Sequence, residues 1–434
     1  MTQGTTMYHL SISTGVRGLG MAGLMAIAMS SASGSDWPRF RGPNGTGVST
    51  DAGVPIEIGE SSNLLWKVEI PGSGNSSPIV SKRHIFLQTA SDDGNERRLV
   101  CLDLADGKQL WSKPAPGATA HTHPKNTLAS CSGASDGNRI YMPFWDGQHL
   151  ALSAYDFDGK PAWTCDLGPF PGGQHGAGHS PIVVAGKVIL ANDQDGLAEV
   201  VAVDAANGDV AWRTLRKAFR SSFSTPILLE RSGVPPEIVV TSTDGVSGYD
   251  VNGTENWRWA WESNTIQLRT VGSPIISQGM VFFSGGNGPG DRHAVAVNLN
   301  PIGATHLPAM AWEARKDFPY VPCMLSRGEH LYFINDAGIA GCYVAKTGQK
   351  VWNNRLPGGN VTASPVMVEN RVYAFSEDGH AFVFAADPKF ELLASAKLDE
   401  GVMASPAVAD GRLLVRGKHH LYCFGSKETK QAAK

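Results

Sequence analysis

Residues 203–212 read VDAANGDVAW, and this stretch decides the fold because its spacing of glycine and tryptophan recurs along the chain. A tryptophan stands four residues after a glycine in five places: Gly107 to Trp111, Gly159 to Trp163, Gly208 to Trp212, Gly253 to Trp257 and Gly348 to Trp352. Self-similarity at a period of roughly 40–50 residues indicates an array of repeated units. The chain is therefore predicted to be a β-propeller.

A second landmark gives the number of blades. A small polar residue and a proline, followed by a short apolar run, open the units. These openers are Ser77-Pro78, Ser180-Pro181, Thr225-Pro226, Ser273-Pro274, Ser364-Pro365 and Ser405-Pro406, with Val321-Pro322 as a variant. The first gap is about double the others, so it must hold two units, with a degenerate opener around residues 129–133. Eight blades result.

The third unit serves as the model for the strands within a blade. Strand A is predicted over 181–184, strand B over 188–191, strand C over 199–203, and strand D runs through Trp212. Turns are expected at Asp195-Gly196 and Asn207-Gly208, because Asp-Gly and Asn-Gly pairs accept the positive φ that tight hairpins require.

Each strand C carries a small residue just before its apolar-Asp pair or the equivalent position, which predicts crowding there. These residues are Cys101, Ala154, Ala202, Gly248, Ala296, Cys342, Val383 and Cys423. Three of the six cysteines are thereby assigned to packing, since free Cys behaves as a small hydrophobe. A disulfide between Cys131 and Cys165 is possible, but sequence alone does not decide it.

The sequence also indicates how the ring of blades closes. The eighth unit runs from Ser405 to Gly425 and has room for only three strands. The segment 64–70, LLWKVEI, has a strand-D pattern with its own tryptophan. We expect it to complete the last blade and so remove the exposed sheet edges.

Composition agrees with one closed array. The chain has 434 residues, 50 glycines, 26 prolines and a formal net charge of −3, without a basic run, so a nucleic-acid partner is not expected. The expected organisation is a signal peptide and leader over residues 1–35, an all-β, eight-bladed propeller of four-stranded antiparallel blades over 36–425, and a polar tail over 426–434.

The first residues have the pattern of an export signal. Arg17 precedes an apolar stretch over 19–29, and residues 30–32, SSA, offer a small-residue cleavage site. The stretch is too short to span a bilayer, although a retained N-terminal anchor is the alternative. No cysteine lies within the candidate cleavage region, so lipid attachment is not indicated. A periplasmic or secreted location with no transmembrane segment after cleavage is predicted.

Residues 102–111 and 203–212 resemble the PQQ-type repeat. This W-type repeat is shared by pyrroloquinoline-quinone dehydrogenases and by the non-catalytic outer-membrane assembly protein BamB, both eight-bladed. Residues 36–45, DWPRFRGPNG, resemble the start of secreted bacterial PQQ-like propeller proteins. The resemblance covers the chain from about Asp36 to Gly425. It is specific for the fold and weak for the function.

Resemblance to the quinone dehydrogenases would imply a vicinal Cys-Cys pair, a calcium site of Glu, Asn and Asp, and an acidic base. No Cys-Cys occurs, and most acidic residues fall in hairpin turns, where Asp is favoured for backbone reasons. Residues 192–196, NDQDG, could hold a cation, but a simple turn is the favoured reading. No cofactor is therefore expected, with PQQ and calcium as the alternative.

The connections from strand D to the next strand A gather with the B–C turns at one mouth of the channel, and loops on a rigid scaffold are where function concentrates. In the first half of the chain these connections are rich in basic and polar residues. The candidate ligand-binding residues are His121, His123, Lys125, Asn126, His175, His179, Arg220 and Arg269.

Each candidate also has a structural alternative. His175 and His179 could be hydrogen-bonded rim residues, and a zinc site would need His121 and His123 to meet them. Arg220 could tie neighbouring loops together, as could Arg269. Alternatively, both arginines could recognise a carboxylate or sulfate through their fork of donors.

The sequence thus predicts an exported, non-catalytic binding or scaffolding module with a polar, cationic site at the channel mouth. Its expected partner is a protein of the cell envelope, an anionic glycan or a small anion. The alternative is a pyrroloquinoline-quinone-dependent oxidoreductase, in which the arginines hold the quinone carboxylates and a histidine acts as base.

Overall fold

The computed structural model describes residues 35–261, 269–287, 292–300 and 307–426, together with Gly290 and the first residue. The chain divides into two units, Met1–Ser33 and Gly34–Lys434. The predicted signal sequence and the tail beyond Ser426 lie outside the described residues. In the described part of the chain, no helix is long and apolar enough to cross a bilayer.

Eight sheets, each with four antiparallel strands A to D from the inside outwards, confirm the predicted eight-bladed propeller, and the sheet of blade seven carries a fifth, parallel strand. Blade one comprises Ile79–Ser81, His84–Ala90, Glu96–Asp103 and Gln109–Pro116; blade two, Ala134–Ser135, Ile140–Trp145, His149–Tyr155 and Pro161–Pro169; blade three, Ile182–Val184, Lys187–Asp193, Ala198–Asp204 and Val210–Leu215; blade four, Ile227–Arg231, Val234–Ser242, Gly245–Tyr249 and Glu255–Ala260.

The second half of the chain repeats the same pattern. Blade five comprises Ile275–Ser277, Met280–Gly286, Arg292–Asn298 and Ala309–Ala314; blade six, Leu325–Arg327, His330–Ile334, Ile339–Val344 and Lys350–Arg355; blade seven, Val366–Val368, Arg371–Phe375, His380–Ala385 and Leu392–Lys397; blade eight, Ala407–Ala409, Arg412–Arg416, His420–Phe424 and, as strand D, Leu64–Glu69.

The last blade is completed by the N-terminal strand, as predicted. Leu64–Glu69 pairs antiparallel with His420–Phe424, and Trp66 lies opposite Cys423. The two ends of the ring are therefore joined through backbone hydrogen bonds, and blade eight has no open edge on that side.

Six strand-D tryptophans donate their indole N–H to a carbonyl of the following blade. The indole of Trp111 donates to the carbonyl of Phe157 at 2.8 Å, and its ring lies against Gly159 of blade two. A Cβ on Gly159 would lie 2.6–2.9 Å from Lys113 and Trp111, and its φ of +77° also favours glycine. Both the close contact with the indole and the positive φ therefore require glycine at this position. The same ring-on-glycine contact joins Trp66 to Gly107, Trp163 to Gly208, Trp212 to Gly253 and Trp312 to Gly348.

The small residues of strand C lie directly opposite these tryptophans. Cys101 pairs with Trp111, and the register shifts immediately afterwards. The equivalent pairs are Ala154 with Trp163, Ala202 with Trp212, Gly248 with Trp257, Ala296 with Trp312, Cys342 with Trp352, and Cys423 with Trp66. The small side chains leave room for the indole on the adjacent strand of the same blade. Val383, in blade seven, faces Ala394 instead.

All six cysteines are buried, and none of them forms a disulfide. Cys131 and Cys165 lie in the same apolar cluster between blades two and three, yet the disulfide that sequence left open is not formed. Burial raises the pKa of the Cys131 thiol to about 12.

The blade openers form a ring of hydrogen bonds around the channel, here called the opener ring. At seven of the eight junctions a backbone N–H of one opener donates to the side chain of the next, at 2.9–3.1 Å. The donor and acceptor pairs are Ser77 to Ser132, Ser132 to Ser180, Thr225 to Ser273, Ser273 to Cys323, Cys323 to Ser364, Ser364 to Ser405, and Ser405 to Ser77.

The opener ring corrects one assignment made from sequence. In blade six the residue in the ring is Cys323, two positions after the predicted opener Val321-Pro322. A thiol can accept the N–H of Ser273 as the serine hydroxyls do, so the Ser-Pro pattern is lost while the hydrogen bond is kept. In blade two the degenerate opener is Ser132, within the predicted stretch 129–133.

Residues 36–54, here called the N-terminal strap, cross the face opposite the mouth. Trp37 exchanges backbone hydrogen bonds with Val80 of blade one. The Asn44 side chain exchanges two bonds with Leu228 of blade four, both at 2.8 Å. After a short 3-10 turn, Pro43–Gly45, the strand Val48–Ser49 pairs in parallel with strand A of blade seven. A segment that contacts blades one, four and seven must pass across the channel axis.

The contact between tryptophan and glycine gives the first prediction. Gly208→Ala should destabilise the protein by about 1–3 kcal/mol more than Gly186→Ala, because overpacking adds to the backbone strain. Both glycines have positive φ, +84° and +71°, but a Cβ at Gly208 meets Trp163 at 2.7 Å, whereas nothing lies within 4 Å of one at Gly186. Urea unfolding of both variants measures the difference, and equal losses would contradict the contact.

The opener ring gives the second prediction. Ser405→Ala removes the acceptor of the buried Ser364 N–H and should cost about 1–3 kcal/mol, the penalty of an unsatisfied buried donor. Ser405→Cys is the matched control, because Cys323 already fills this role in blade six. Chemical unfolding should show a smaller loss for the cysteine variant; similar losses for both would mean that packing, not the hydrogen bond, sets the cost.

Candidate functional site

The connections before blades two and three meet at the mouth. The rings of His123 and His175 stack with centroids 5.4 Å apart and planes 5° from parallel. The Asn126 amide donates to the carbonyls of His175 and Ala177 at 2.6 and 3.0 Å. Asn126 therefore holds the two loops together, and the two imidazole rings stack on each other at the rim.

Lys125 extends from the connection before blade two to blade seven. Its Nζ lies 2.5 Å from Oε1 of Glu377, which also accepts from the Thr362 hydroxyl at 2.7 Å. This ion pair is partly exposed, with side-chain exposures of 36% and 18%. The charge of Lys125 is thus matched by an acid that the sequence analysis did not single out.

Arg269, in the connection before blade five, contacts the connection before blade four and the B–C turn of blade three. Its Nη1 donates to the Ser221 hydroxyl at 2.5 Å and lies 3.6 Å from Oδ1 of Asp195. The same carboxylate oxygen accepts the Ser221 N–H at 2.7 Å. Arg269 is only 4% exposed. Of the two roles that sequence left open for it, joining adjacent loops is the one that these contacts support.

Tyr320 lies near three arginines, namely Arg292, Arg269 and Arg220. The Arg292 guanidinium lies 5.2 Å from the centre of its ring, and the backbone N–H of Tyr320 donates to Asp336 at 2.7 Å. Burial raises the pKa of Tyr320, while the positive charges of Arg269, Arg292 and Arg220 oppose the rise. The phenol is therefore protonated at neutral pH and lies within the field of three arginines.

His175 is electrically neutral at physiological pH. Burial lowers its pKa to about 4, and the positive charges of Arg269, His123 and Arg220 act in the same direction, with Asp195 opposing them. Its Nδ1 is buried and has no hydrogen-bond partner among the described residues. His175 thus offers a neutral imidazole face rather than a positive charge.

His179 does not reach the mouth. It is 2% exposed and packs between Phe170 and Phe223, with ring centroids 5.0 and 5.7 Å away. Neither ring nitrogen has a hydrogen-bond partner within the described residues, and burial lowers its pKa to about 4. The expectation that His179 contributes to a rim site conflicts with this placement, because its side chain belongs to the core beneath the rim.

His121 is exposed and makes no hydrogen bond or ring contact with a described residue. Although the two histidine-bearing loops meet, the described residues contain no group of three or more His, Cys, Asp or Glu side chains that could hold a metal ion. Arg220 is half-buried at the rim, where its charge acts on His175 and Arg269.

The aspartates of residues 192–196 both face arginines. Asp193 is fully buried, 3.5 Å from Arg216, and burial raises its pKa to about 6. Asp195 faces Arg269. The alternative of a cation site in this stretch is therefore not supported, since the two carboxylates already serve as partners for buried or half-buried guanidinium groups.

Sequence reasoning missed the acids and the aromatic residue of the mouth. Asp195, Asp336 and Glu377 all belong to B–C turns, where the sequence analysis treated Asp as a turn residue. Their position in the chain could have identified these three acids, because the B–C turns lie at the same rim as the blade connections. Tyr320 sits just before the displaced opener of blade six and was missed with it.

Fold and repeats together define an eight-bladed propeller of the PQQ-repeat class. The profile of the family described as outer membrane protein assembly factor BamB matches residues 35–156 and 151–300. These matches cover more than half of the sequence, and the chain belongs to this family. No curated protein sequence matches it.

Several solved structures share the fold. BamB from Moraxella catarrhalis has a TM-score of 0.60 at 12% identity, covering 84% of this chain and 97% of that chain. Quinohemoprotein alcohol dehydrogenase from Comamonas testosteroni has a TM-score of 0.60 at 13% identity, covering 90% and 80%. Sqt1 from Saccharomyces cerevisiae has a TM-score of 0.61 at 12% identity, covering 84% and 99%. Identities this low show the fold alone.

The buried histidine gives a prediction about pH. The pKa of His179 is about 4 in the folded protein against 6.5 as its ordinary value, so its stabilising effect is complete above pH 6.5 and is lost as the pH falls towards 4. His179→Phe should therefore lose about 2 kcal/mol less than the wild type between pH 7.5 and pH 5. Denaturant unfolding at both pH values measures the free energy of unfolding of each protein. Comparing the two proteins removes the contribution of the titratable groups that they share. Equal losses would show that His179 is solvated.

Proposed function

We propose that this protein is an exported, non-catalytic binding module of the cell envelope that recognises an anionic partner at the channel mouth. The observation that carries the proposal is the convergence of basic and aromatic side chains from consecutive connections and from the start of strand C in blade five. The residues concerned are His123, His175, Arg220, Arg269, Arg292 and Tyr320.

The chemistry of this cluster favours carboxylate, sulfate or phosphate groups. Guanidinium forks match planar and tetrahedral anions through paired donors. The stacked rings of His123 and His175 add an apolar surface, which suits a sugar ring or a side chain carrying the acid. Asp195 and Asp336 partly balance the arginines, so the site would select ligands by geometry as well as by charge.

Export and envelope location rest on two independent supports. The residues 17–32 have the pattern of a secretory signal. The family to which the chain belongs is described as an outer membrane assembly factor. A protein of the envelope is accordingly one partner class, and an anionic glycan or small anion is the other.

The alternative of a quinone-dependent oxidoreductase finds little support in the residues present. Calcium prefers several oxygen ligands, yet the mouth carboxylates Asp195, Asp336 and Glu377 contact arginine, lysine or backbone N–H groups. The described residues therefore do not fit a calcium-bound quinone, and no catalytic step is assigned. Melting curves with quinone and calcium test this alternative, since selective binding to the folded form must raise the melting temperature.

The binding proposal predicts the effect of removing rim groups. A variant with His123→Ala and Arg220→Ala should bind acidic probes about tenfold or more weakly, the loss expected for charge-assisted hydrogen bonds. Suitable probes are a glutamate-rich peptide, a sulfated disaccharide and citrate, titrated by calorimetry. Arg269 is left in place because it is buried and joins loops.

Arg83→Ala is the matched control, because it removes one positive charge on the opposite face, at an exposed A–B turn. Exposed substitutions usually change stability within about 0.5 kcal/mol, and melting curves verify this for both proteins. If all probes bind both variants as they bind the wild type, or if the wild type binds none, the anionic mouth site is refuted and the outer blade edges become the working surface.

A further inference from the structure

The connection before blade two crosses the mouth of the channel. It spans residues 117–133 and is the longest of the connections from strand D to strand A. On one side, Asn126 donates to two carbonyls of the connection between blades two and three. On the other side, Lys125 meets Glu377 of blade seven. In a ring of eight blades these two places lie across the channel from each other, so the connection passes over the mouth.

Contacts with blades one and eight support this course. Asn75, in the connection before blade one, donates its side-chain amide to the carbonyl of Lys125 at 3.2 Å, and its backbone N–H to the Thr127 hydroxyl at 3.1 Å. The same amide lies 3.7 Å from the sulfur of Met403, in the connection before blade eight. The N-terminal strap crosses the opposite face. Both ends of the channel are therefore crossed by the chain.

The part that crosses the mouth, residues 119–126, is here called the mouth segment, and it is held loosely on the blade-seven side. None of its residues is buried, and His121 and His123 are exposed. Within the described residues, the pair of Lys125 and Glu377 is the one hydrogen bond or ion pair between this segment and blade seven. Partly exposed ion pairs contribute little stability, and segments that bury few side chains open at low cost. The fastening to blade seven is thus easily broken.

The two partners of this ion pair are held to different degrees. The Glu377 carboxylate also accepts the Thr362 hydroxyl at 2.7 Å, and the Glu377 N–H donates to the carbonyl of Asn360 at 2.8 Å. Glu377 therefore keeps its place in blade seven without Lys125. Asn126 keeps the other side of the mouth segment attached through its two hydrogen bonds. Loss of the ion pair would free the mouth segment from blade seven alone.

The mouth segment adjoins the arginines of the proposed anionic site. His123 stacks on His175. The charges of His123, Arg269 and Arg220 all act on His175, so these groups lie close together. Arg269 is only 4% exposed, and a ligand from solvent has little access to its guanidinium in this arrangement.

We infer that the mouth segment is a lid, fastened by the ion pair between Lys125 and Glu377, which opens to admit an acidic ligand to the arginines of the mouth. The identity of the ligand rests on the proposed binding function. The existence of the lid rests on the contacts of the mouth segment and does not depend on that function.

Hydrogen exchange, followed by mass spectrometry on the full chain, tests the lid without any ligand. Glu377→Gln keeps the size of the side chain and removes its charge. The backbone amides of residues 119–126 should then exchange about two- to fivefold faster than in the wild type, the factor that a partly exposed ion pair contributes to an equilibrium.

Asp410→Asn is the matched control for this experiment. It removes the acid of a similarly exposed ion pair, with Arg83 on the opposite face, and asparagine tolerates the positive φ of this position. Exchange of residues 119–126 should stay at the wild-type rate in this control. Unchanged exchange in Glu377→Gln, or equal acceleration in both variants, would overturn the lid.

A tether tests whether the ligand requires an open lid. In a variant with Lys125→Cys and Glu377→Cys, a short bis-maleimide joins the two thiols and keeps the mouth segment on blade seven. The same variant capped with N-ethylmaleimide is the control, because it has lost the same charges but has no tether. The six native cysteines are buried and do not compete for the reagents.

Citrate and the sulfated disaccharide are the probes for the tethered protein. They should bind it about tenfold or more weakly than the capped protein, because apparent affinity falls with the fraction of molecules in the binding-competent state. Equal binding to both forms would overturn the role of the lid in admitting the ligand. If the wild type binds neither probe, that role fails together with the proposed function, while hydrogen exchange still decides whether the lid exists.

Discussion

The fold depends on the contact between an indole ring on strand D of one blade and a glycine in the following blade. The contact needs three things at once: a tryptophan, a glycine with positive φ beneath its ring, and a small residue opposite the tryptophan on strand C. Trp163 shows all three, with Gly208 below it and Ala154 beside it. At the five junctions that show this contact, one blade supplies the tryptophan and the next supplies the glycine, so these neighbouring blades cannot be packed independently. Trp66 on the N-terminal strand meets Gly107 by the same rule, so ring closure uses the standard contact rather than a special one.

Much of this architecture could be predicted from the sequence because it repeats. The spacing of Gly208 and Trp212 and the Ser-Pro openers gave the blade count, and the strand-like segment around Trp66 gave the closure. The error at Val321-Pro322 has a physical cause, since the property that the structure conserves among blades is a side-chain acceptor, and Cys323 provides one without resembling Ser-Pro. A search for repeats detects residues that recur. It misses a residue such as Cys323, which plays the same role as the serines with a different side chain.

The candidate site was less accessible to such reasoning. Position in a blade connection correctly brought His123 and His175 together, because all these connections share one rim. It could not separate His175 from His179, four residues later, whose side chain turns into the core between Phe170 and Phe223. Nor could it foresee that Lys125 would meet Glu377, more than two hundred residues away in the chain. The direction in which a loop side chain points depends on tertiary packing, and so does the pairing of charges that are distant in the chain. A local sequence pattern contains neither kind of information.

The pairing of the N-terminal strand with the last blade has a consequence for the order of folding. Residues 64–69 cannot find their partners until residues 420–424 exist, and the strap likewise waits for blades four and seven. Contacts of such long sequence separation form slowly, since the entropy of closing the loop must be overcome first. A nascent chain would thus leave the ribosome with its ring open, and the ring could close only after the last blade had been synthesised.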